Sequence, residues 1–138
     1  MLYIVSWVVL KKEKGKKMEV KVKVWIEDDK NNLVFGGGKM EILEYIEQTG
    51  SIAEASTKIG LSYKKAWTHI KVLEKYIEDE LVITQKGAGE QGGSTLTPKA
   101  KEIITNYKKL QSDVKEYTQD RFKDLFVNSK IDILNLKE

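Results

Sequence analysis

The sequence predicts an α+β fold, mainly α: an N-terminal β-hairpin, three helices within about 40 residues, a second hairpin with a glycine-rich tip, and a long C-terminal helix. Three observations carry it. Val20, Val22, Val24 and Ile26 alternate with Lys21, Lys23 and Trp25, the period of two of a half-buried strand. The stretch GSIAEASTKIGLSYKKAWTHIKVLE, residues 50–74, holds two amphipathic segments joined only by IGLS, a joint tight enough to hold two helices at a steep angle. From Glu80, ELVITQKGAGEQGGSTLT then runs as apolar strand, glycine-rich loop and strand.

Composition limits the function classes. A chain of 138 residues, 41% apolar and 33% charged, has the size and make-up of one folded domain. It contains no cysteine, which excludes disulfides, thiolate metal sites and a cysteine nucleophile and fits a cytoplasmic setting. With His69 as the single histidine, a histidine-based metal site or nucleophile-base pair has little support, and the carboxylates are scattered. No enzyme activity, cofactor or metal is expected. The net charge of +3 is uneven: residues 1–17 carry +4, 18–50 carry −3, and the two following segments +1 each. A nucleic-acid footprint therefore has to be a local patch.

Taken in order, MLYIVSWVVL is apolar for only about ten residues, short of the roughly 20 that span a bilayer, and its lysines follow the apolar run instead of preceding it. Neither membrane insertion nor secretion is expected. Residues 1–17 read as an added edge strand, an extension ahead of a start at Met18, or a strand that docks a partner. A domain is expected over 18–100. Its hairpin spans about 19–35, with EDDKNN as the turn and LVF as the return strand. The first helix spans Lys39 to Gln48, with Met40, Ile42, Leu43 and Ile46 inward, closed by Thr49 and Gly50.

Ser51, followed three residues later by Glu54, has the spacing of a capping box and starts a short helix at Ile52, with Ile52, Ala55 and Ile59 inward. Gly60 supplies a left-handed C-terminus and Ser62 caps the next helix, 62–77. Two helices at this joint form a helix-turn-helix. At about 100° per residue, Ala66, Trp67, Ile70, Leu73 and Ile77 share the core face. Opposite them lie Lys64, Lys65, Thr68, Val72 and Lys75, with His69 and Lys71 on the flanks and no acid among them. Such a face is either solvated surface or, in this setting, a reader of the major groove, where lysine reaches guanine acceptors and apolar groups meet thymine methyls. His69 reads as a hydrogen-bonding or phosphate-contacting group. Tyr63 and Trp67, four residues apart, read as anchors of the helix in the core, with Tyr63 at the DNA-facing end.

Strand, glycine-rich loop and strand after a recognition helix is the plan of a wing. GAGEQGG lacks the lysine and hydroxyl of a phosphate-binding Walker loop, so a nucleotide site is not expected. Lys86 and loop amides suit a DNA backbone phosphate, unless the tip is only a loose hairpin end.

TGSIAEASTKIGLSYKKAWTHIKVLE and the following LVITQKGAGEQGGSTLTPKAKEIITNY resemble the N-terminal DNA-binding domain of the ModE family, molybdate-responsive regulators with a winged helix-turn-helix of the LysR type. The resemblance runs from about Val20 to Leu110. It implies a dimeric DNA reader whose Ser62, Lys64, Lys65, Thr68 and His69 face the duplex. Glu90 and Gln91 interrupt a stretch that is richer in glycine in the family. Family members also carry a C-terminal oxyanion-binding domain for which residues 101–138 leave no room, so molybdate binding is not expected on this chain.

Residues 101–138 are read as a dimerisation helix and tail. Ile103, Tyr107, Leu110, Val114 and Tyr117 step by 4, 3, 4 and 3, the seam of a two-stranded helical contact or a stripe packed on the domain's own core. Its continuation to Phe122, Leu125 and Phe126 favours a homodimer. The sequence thus points to a DNA-binding transcription regulator that reads double-stranded DNA through 62–77. The alternative is a winged-helix interaction or dimerisation module that acts with a separate sensor or partner.

Overall fold

The computed structural model describes residues 18–85 and 93–128. Two compact units divide the chain. One is Val24–Lys109; the other takes in, of the described residues, 18–23 and 110–128.

In the first unit, β1 (Ile26–Glu27) pairs antiparallel with β2 (Leu33–Phe35). Asp28 builds the turn: its carboxylate accepts from the Lys30 and Asn32 amides at 2.9 and 2.8 Å and from Asn32 Nδ2 at 3.1 Å, while Asn31 takes a left-handed φ of 67°. The hairpin is much shorter than the 19–35 expected. Only three residues return before the chain turns helical, so Val20, Val22 and Val24 face no partner strand among the described residues, and Val22 is exposed.

Helix α1 (Gly37–Thr49) begins within the glycine run, two residues earlier than expected. Helix α2 (Ile52–Ile59) starts after Ser51, whose Oγ accepts from the Glu54 amide at 3.1 Å. The return half of the capping box is replaced: the Ser51 amide donates to Thr49 Oγ1 at 3.2 Å. At the C-terminus of α2, Gly60 has φ 75° and the Leu61 amide reaches back to Ser56 O at 2.9 Å, closing the joint into α3 (Tyr63–Ile77).

Strand β3 (Val82–Gln85) pairs antiparallel with β4 (Gly93–Leu96), Val82 opposite Leu96. Both fall within the stretch read as strand, loop and strand; ahead of β3 the Leu81 amide is taken by the Glu74 carboxylate, and after β4 Thr97 caps the last helix. Thr97 Oγ1 donates to Glu80 O at 2.8 Å and accepts from Ala100 N at 3.2 Å at the start of that helix, α4 (Pro98–Phe122), where proline's missing N–H costs nothing. The Ser94 amide donates to Gly50 O at 2.8 Å, fastening β4 to the α1–α2 turn.

The core of this unit draws on every helix: Met40, Ile42, Leu43 and Ile46 from α1, Ile52 and Ala55 from α2, Ala66, Ile70 and Leu73 from α3, Ala100, Ile104 and Tyr107 from α4, closed by Leu81, Val82 and Leu96. Each large buried aliphatic contributes about 1.5–3 kcal/mol. Tyr107 Oη donates to Val24 O at 2.6 Å, and Tyr76 Oη to Asp28 Oδ2 at 2.7 Å. Two tyrosines thereby hold the N-terminal segment on the helical body.

In the second unit, α4 ends at Phe122 and one π-helical turn comes next, Lys123–Val127. Phe122 and Phe126 stack with ring centroids 5.7 Å apart.

Candidate nucleic-acid interface

Helix α3 starts at a fixed point. Ser62 Oγ accepts from the Lys65 amide at 3.1 Å, and the left-handed Gly60 sets the direction of the chain into it. Burial of Ala66, Ile70 and Leu73 then decides which arc faces out. Lys64, Lys65, Thr68 and Lys75 are exposed, as the sequence pattern requires, together with Ser62 and Lys71; Val72 and His69 are half-buried. Thr68 Oγ1 donates to Lys64 O at 2.9 Å, so outward this hydroxyl presents an acceptor and a methyl group.

Tyr63 and Trp67 are not in the core. They are 52% and 45% exposed and extend the outward arc on one side. The inward positions, buried Ala66, Ile70 and Leu73 and partly buried Ile77, span only about 60° of the helix, and Trp67 falls about 90° from their centre. Apolarity alone favours the core for a wide indole, whereas its angle puts it at the edge. Trp67 instead carries the Lys71 ammonium over its ring at 5.3 Å.

His69 sits on the other edge, more enclosed than a surface residue. Burial lowers its pKa, and Lys39 and Lys65 lower it further, so at neutral pH the lysines carry the positive charge of this face. Its Nδ1 is buried without a hydrogen-bond partner among the described residues. Lys39, at the start of α1, donates to Leu33 O at 2.8 Å and is itself depressed by burial. Sequence reasoning missed Lys39 because α1 and α3 meet only in the folded chain.

A second missed residue is Glu74. Its Oε2 accepts from the amides of Leu81 and Val82 at 2.9 and 3.3 Å, and its Oε1 pairs with Lys71 at 3.0 Å. Burial pushes this carboxyl up, but the Leu81 amide, Lys71 and the Val82 amide together hold it below the usual range. Helix α3 and strand β3 are therefore joined through one side chain. Thr84 and Ser94 face each other across the wing at 3.4 Å. Lys86, Glu90 and Gln91, expected at the wing tip, lie outside the described residues.

This geometry, two capped helices at a tight joint and then a two-stranded wing, is matched by sequence comparison. Residues 38–101 fit the family model described as the bacterial regulatory helix-turn-helix protein, lysR family. Residues 38–101 are thus similar to the lysR-type helix-turn-helix. The chain is 32% identical over 79 residues to the molybdenum-pterin-binding protein MopB of Rhodobacter capsulatus, covering 57% of this chain and 29% of that protein. It is 37% identical over 70 residues to the molybdenum transport protein ModE of Herbaspirillum seropedicae, covering 51% and 26%. Against the DNA-binding transcriptional dual regulator ModE of Escherichia coli K12 it is 32% identical over 69 residues, covering 50% and 26%. The chain thus spans under a third of the length of the relatives it matches.

The expected dimer seam begins at the end of the matched segment and divides along its length. Tyr107 is buried in the domain's own core and Ile103 packs against it, which corrects the reading of these two as free for a partner helix. Their position beside α1 accounts for this, since Lys101 and Lys108 on the same stretch pair with Glu47 and Glu44 of α1 at 3.8 and 3.0 Å. Leu110 and Tyr117 are exposed, at 39% and 68%, and Val114 is half-buried. Among the described residues no helix is long and apolar enough to cross a membrane.

Proposed function

We propose that this chain is a transcription regulator that binds double-stranded DNA as a homodimer, with α3 in the major groove. The observation that carries the reading is the outward face of α3, where Lys64, Lys65, Thr68 and Lys75 are exposed on a capped helix and no acid stands among them. Lysines at the start of the helix supply donors to guanine and to phosphate. Thr68, its proton committed to Lys64 O, is an acceptor suited to the amino group of adenine or cytosine, with its methyl toward thymine. Ser62, Tyr63, His69 and Val72 border this face, and Lys86 is assigned to a backbone phosphate.

Leu110, Val114 and Tyr117 form the dimer contact, which sets two α3 helices about 34 Å apart on one side of the duplex. The names of the relatives, among them a DNA-binding transcriptional regulator, support the class. Molybdate is not assigned to this chain.

The exposed Leu110, Tyr117 and Phe126 favour the second reading, an interaction module that reads no bases. One experiment separates the two: retention of genomic duplex fragments by the wild type and by the Lys65→Glu/Thr68→Ala double variant. A DNA reader enriches a two-fold symmetric site, and the double variant loses it while keeping its circular dichroism spectrum. Equal behaviour of both proteins sinks the DNA reading.

A further inference from the structure

Lys71 lies on the same helix as the DNA-facing lysines and is half exposed, yet its surroundings differ from theirs. Its ammonium sits 3.0 Å from Glu74 Oε1 and over the Trp67 ring at 5.3 Å. An exposed i,i+3 ion pair is ordinarily weak, because both side chains must be immobilised. Here one partner is already immobile: Glu74 is 12% exposed and its other oxygen is held by two successive wing amides. The carboxylate cannot follow Lys71 outward. If Lys71 moved to a phosphate, it would leave that carboxylate buried, with its ion partner gone, beside a polyanion.

We infer that Glu74 is a specificity-determining residue that withholds Lys71 from the DNA backbone. The inference rests on the DNA reading above and adds to it a direction of effect. Every lysine that neutralises a phosphate strengthens binding to all sequences alike, whereas base contacts distinguish them. By cancelling Lys71 locally and pinning it against Trp67, Glu74 lowers affinity for arbitrary duplex while leaving Lys64, Lys65 and Thr68 to read the site. The same side chain, through Leu81 and Val82, keeps β3 against the recognition helix, so the restraint on Lys71 is part of the domain's frame.

The test is the salt dependence of duplex binding for four proteins: wild type, Lys71→Gln, Lys65→Gln and Glu74→Gln, each with a selected site and with a scrambled duplex, and each checked for folding by circular dichroism. Lys65→Gln is expected to flatten the slope of log K against log salt by about 1.8 for the dimer, the loss of one phosphate contact in each subunit. Lys71→Gln is expected to leave the slope unchanged. Glu74→Gln is expected to steepen it by about 1.8, one added contact in each subunit, and to narrow the ratio of specific to scrambled affinity. A purely structural role for Glu74 does not steepen the slope. The inference is overturned if Lys71→Gln flattens the slope as Lys65→Gln does, and this arm decides the matter even if Glu74→Gln fails to fold. No salt-dependent binding by the folded wild type overturns the DNA reading itself, a result distinct from either.

Discussion

Gly93 opens β4 where the wing meets the α1–α2 turn, and a Cβ there would lie 2.9 Å from Gly50 O. Ordinary contact for a Cβ begins at 3.4 Å, so Gly93→Ala demands a separation of about 0.5 Å between two backbone segments. That displacement carries the Ser94 N to Gly50 O bond from 2.8 Å to about 3.3 Å, beyond the good hydrogen-bonding range. Loss of one such bond costs about 1 kcal/mol, and overpacking of this kind costs about 1–3 kcal/mol, which puts the expected destabilisation near 2 kcal/mol. In urea unfolding with an m value of roughly 1.5 kcal/mol/M, the midpoint falls by about 1.3 M at unchanged slope. Gly38→Ala is the control. Nothing lies within 4 Å of its Cβ, and alanine in a helix is better by up to about 1 kcal/mol, so its midpoint should hold or rise. A Gly93→Ala midpoint within about 0.2 M of wild type would falsify the claim that the wing root is closed by direct backbone contact.

Ser62→Ala removes the acceptor for the Lys65 amide and should cost about 1 kcal/mol in the same assay, with weaker DNA binding from a frayed start of α3. Asp28 is held at about 2 by the Tyr76 hydroxyl first and by Asn32 and Lys30 next, against an unfolded value of 3.8. Because the folded value is the lower one, its contribution is complete above pH 4 and disappears as pH falls toward 2. Tyr76→Phe should therefore raise the Asp28 titration midpoint read by NMR, and an unshifted midpoint would disprove the assignment. Leu110→Glu with Tyr117→Glu places charges on the exposed half of the seam. Sedimentation should show monomers with wild-type helicity, and a persistent dimer would remove α4 from the interface.

Helix positions are legible in the sequence because capping and periodicity are local: Ser51, Gly60 and Ser62 set ends that the structure reproduces to within a residue. The hairpin at 19–35 is overread by its pattern because alternation reports what a strand would look like, while pairing requires a return strand, and Leu33–Phe35 is only three residues long. Tyr107 misleads for a related reason. A heptad stripe is the same pattern whether a neighbouring helix belongs to this chain or to another, and here α1 takes its first half. In the candidate interface, the lysines and Thr68 can be found from their angle alone. Glu74 cannot, since its meaning lies in two amides seven and eight residues further on. Lys39 needs a contact across more than 25 residues.

The two tyrosine hydroxyls that fasten the segment around Val24 and Asp28 both belong to residues made well after their partners. Tyr76 meets Asp28 across 48 residues and Tyr107 meets Val24 across 83. At about 5–20 residues per second, the segment around Val24 exists for roughly 4–17 s before Tyr107 has been made. During that interval the residues of the helical joint, neighbours in sequence, are all present, while the core positions of α4 are not yet complete. The Val24 edge of a growing chain therefore waits for its last partner, and the lysine-alternated Val20–Ile26 stretch is chemically suited to that wait: the charges at Lys21 and Lys23 discourage pairing with another nascent strand.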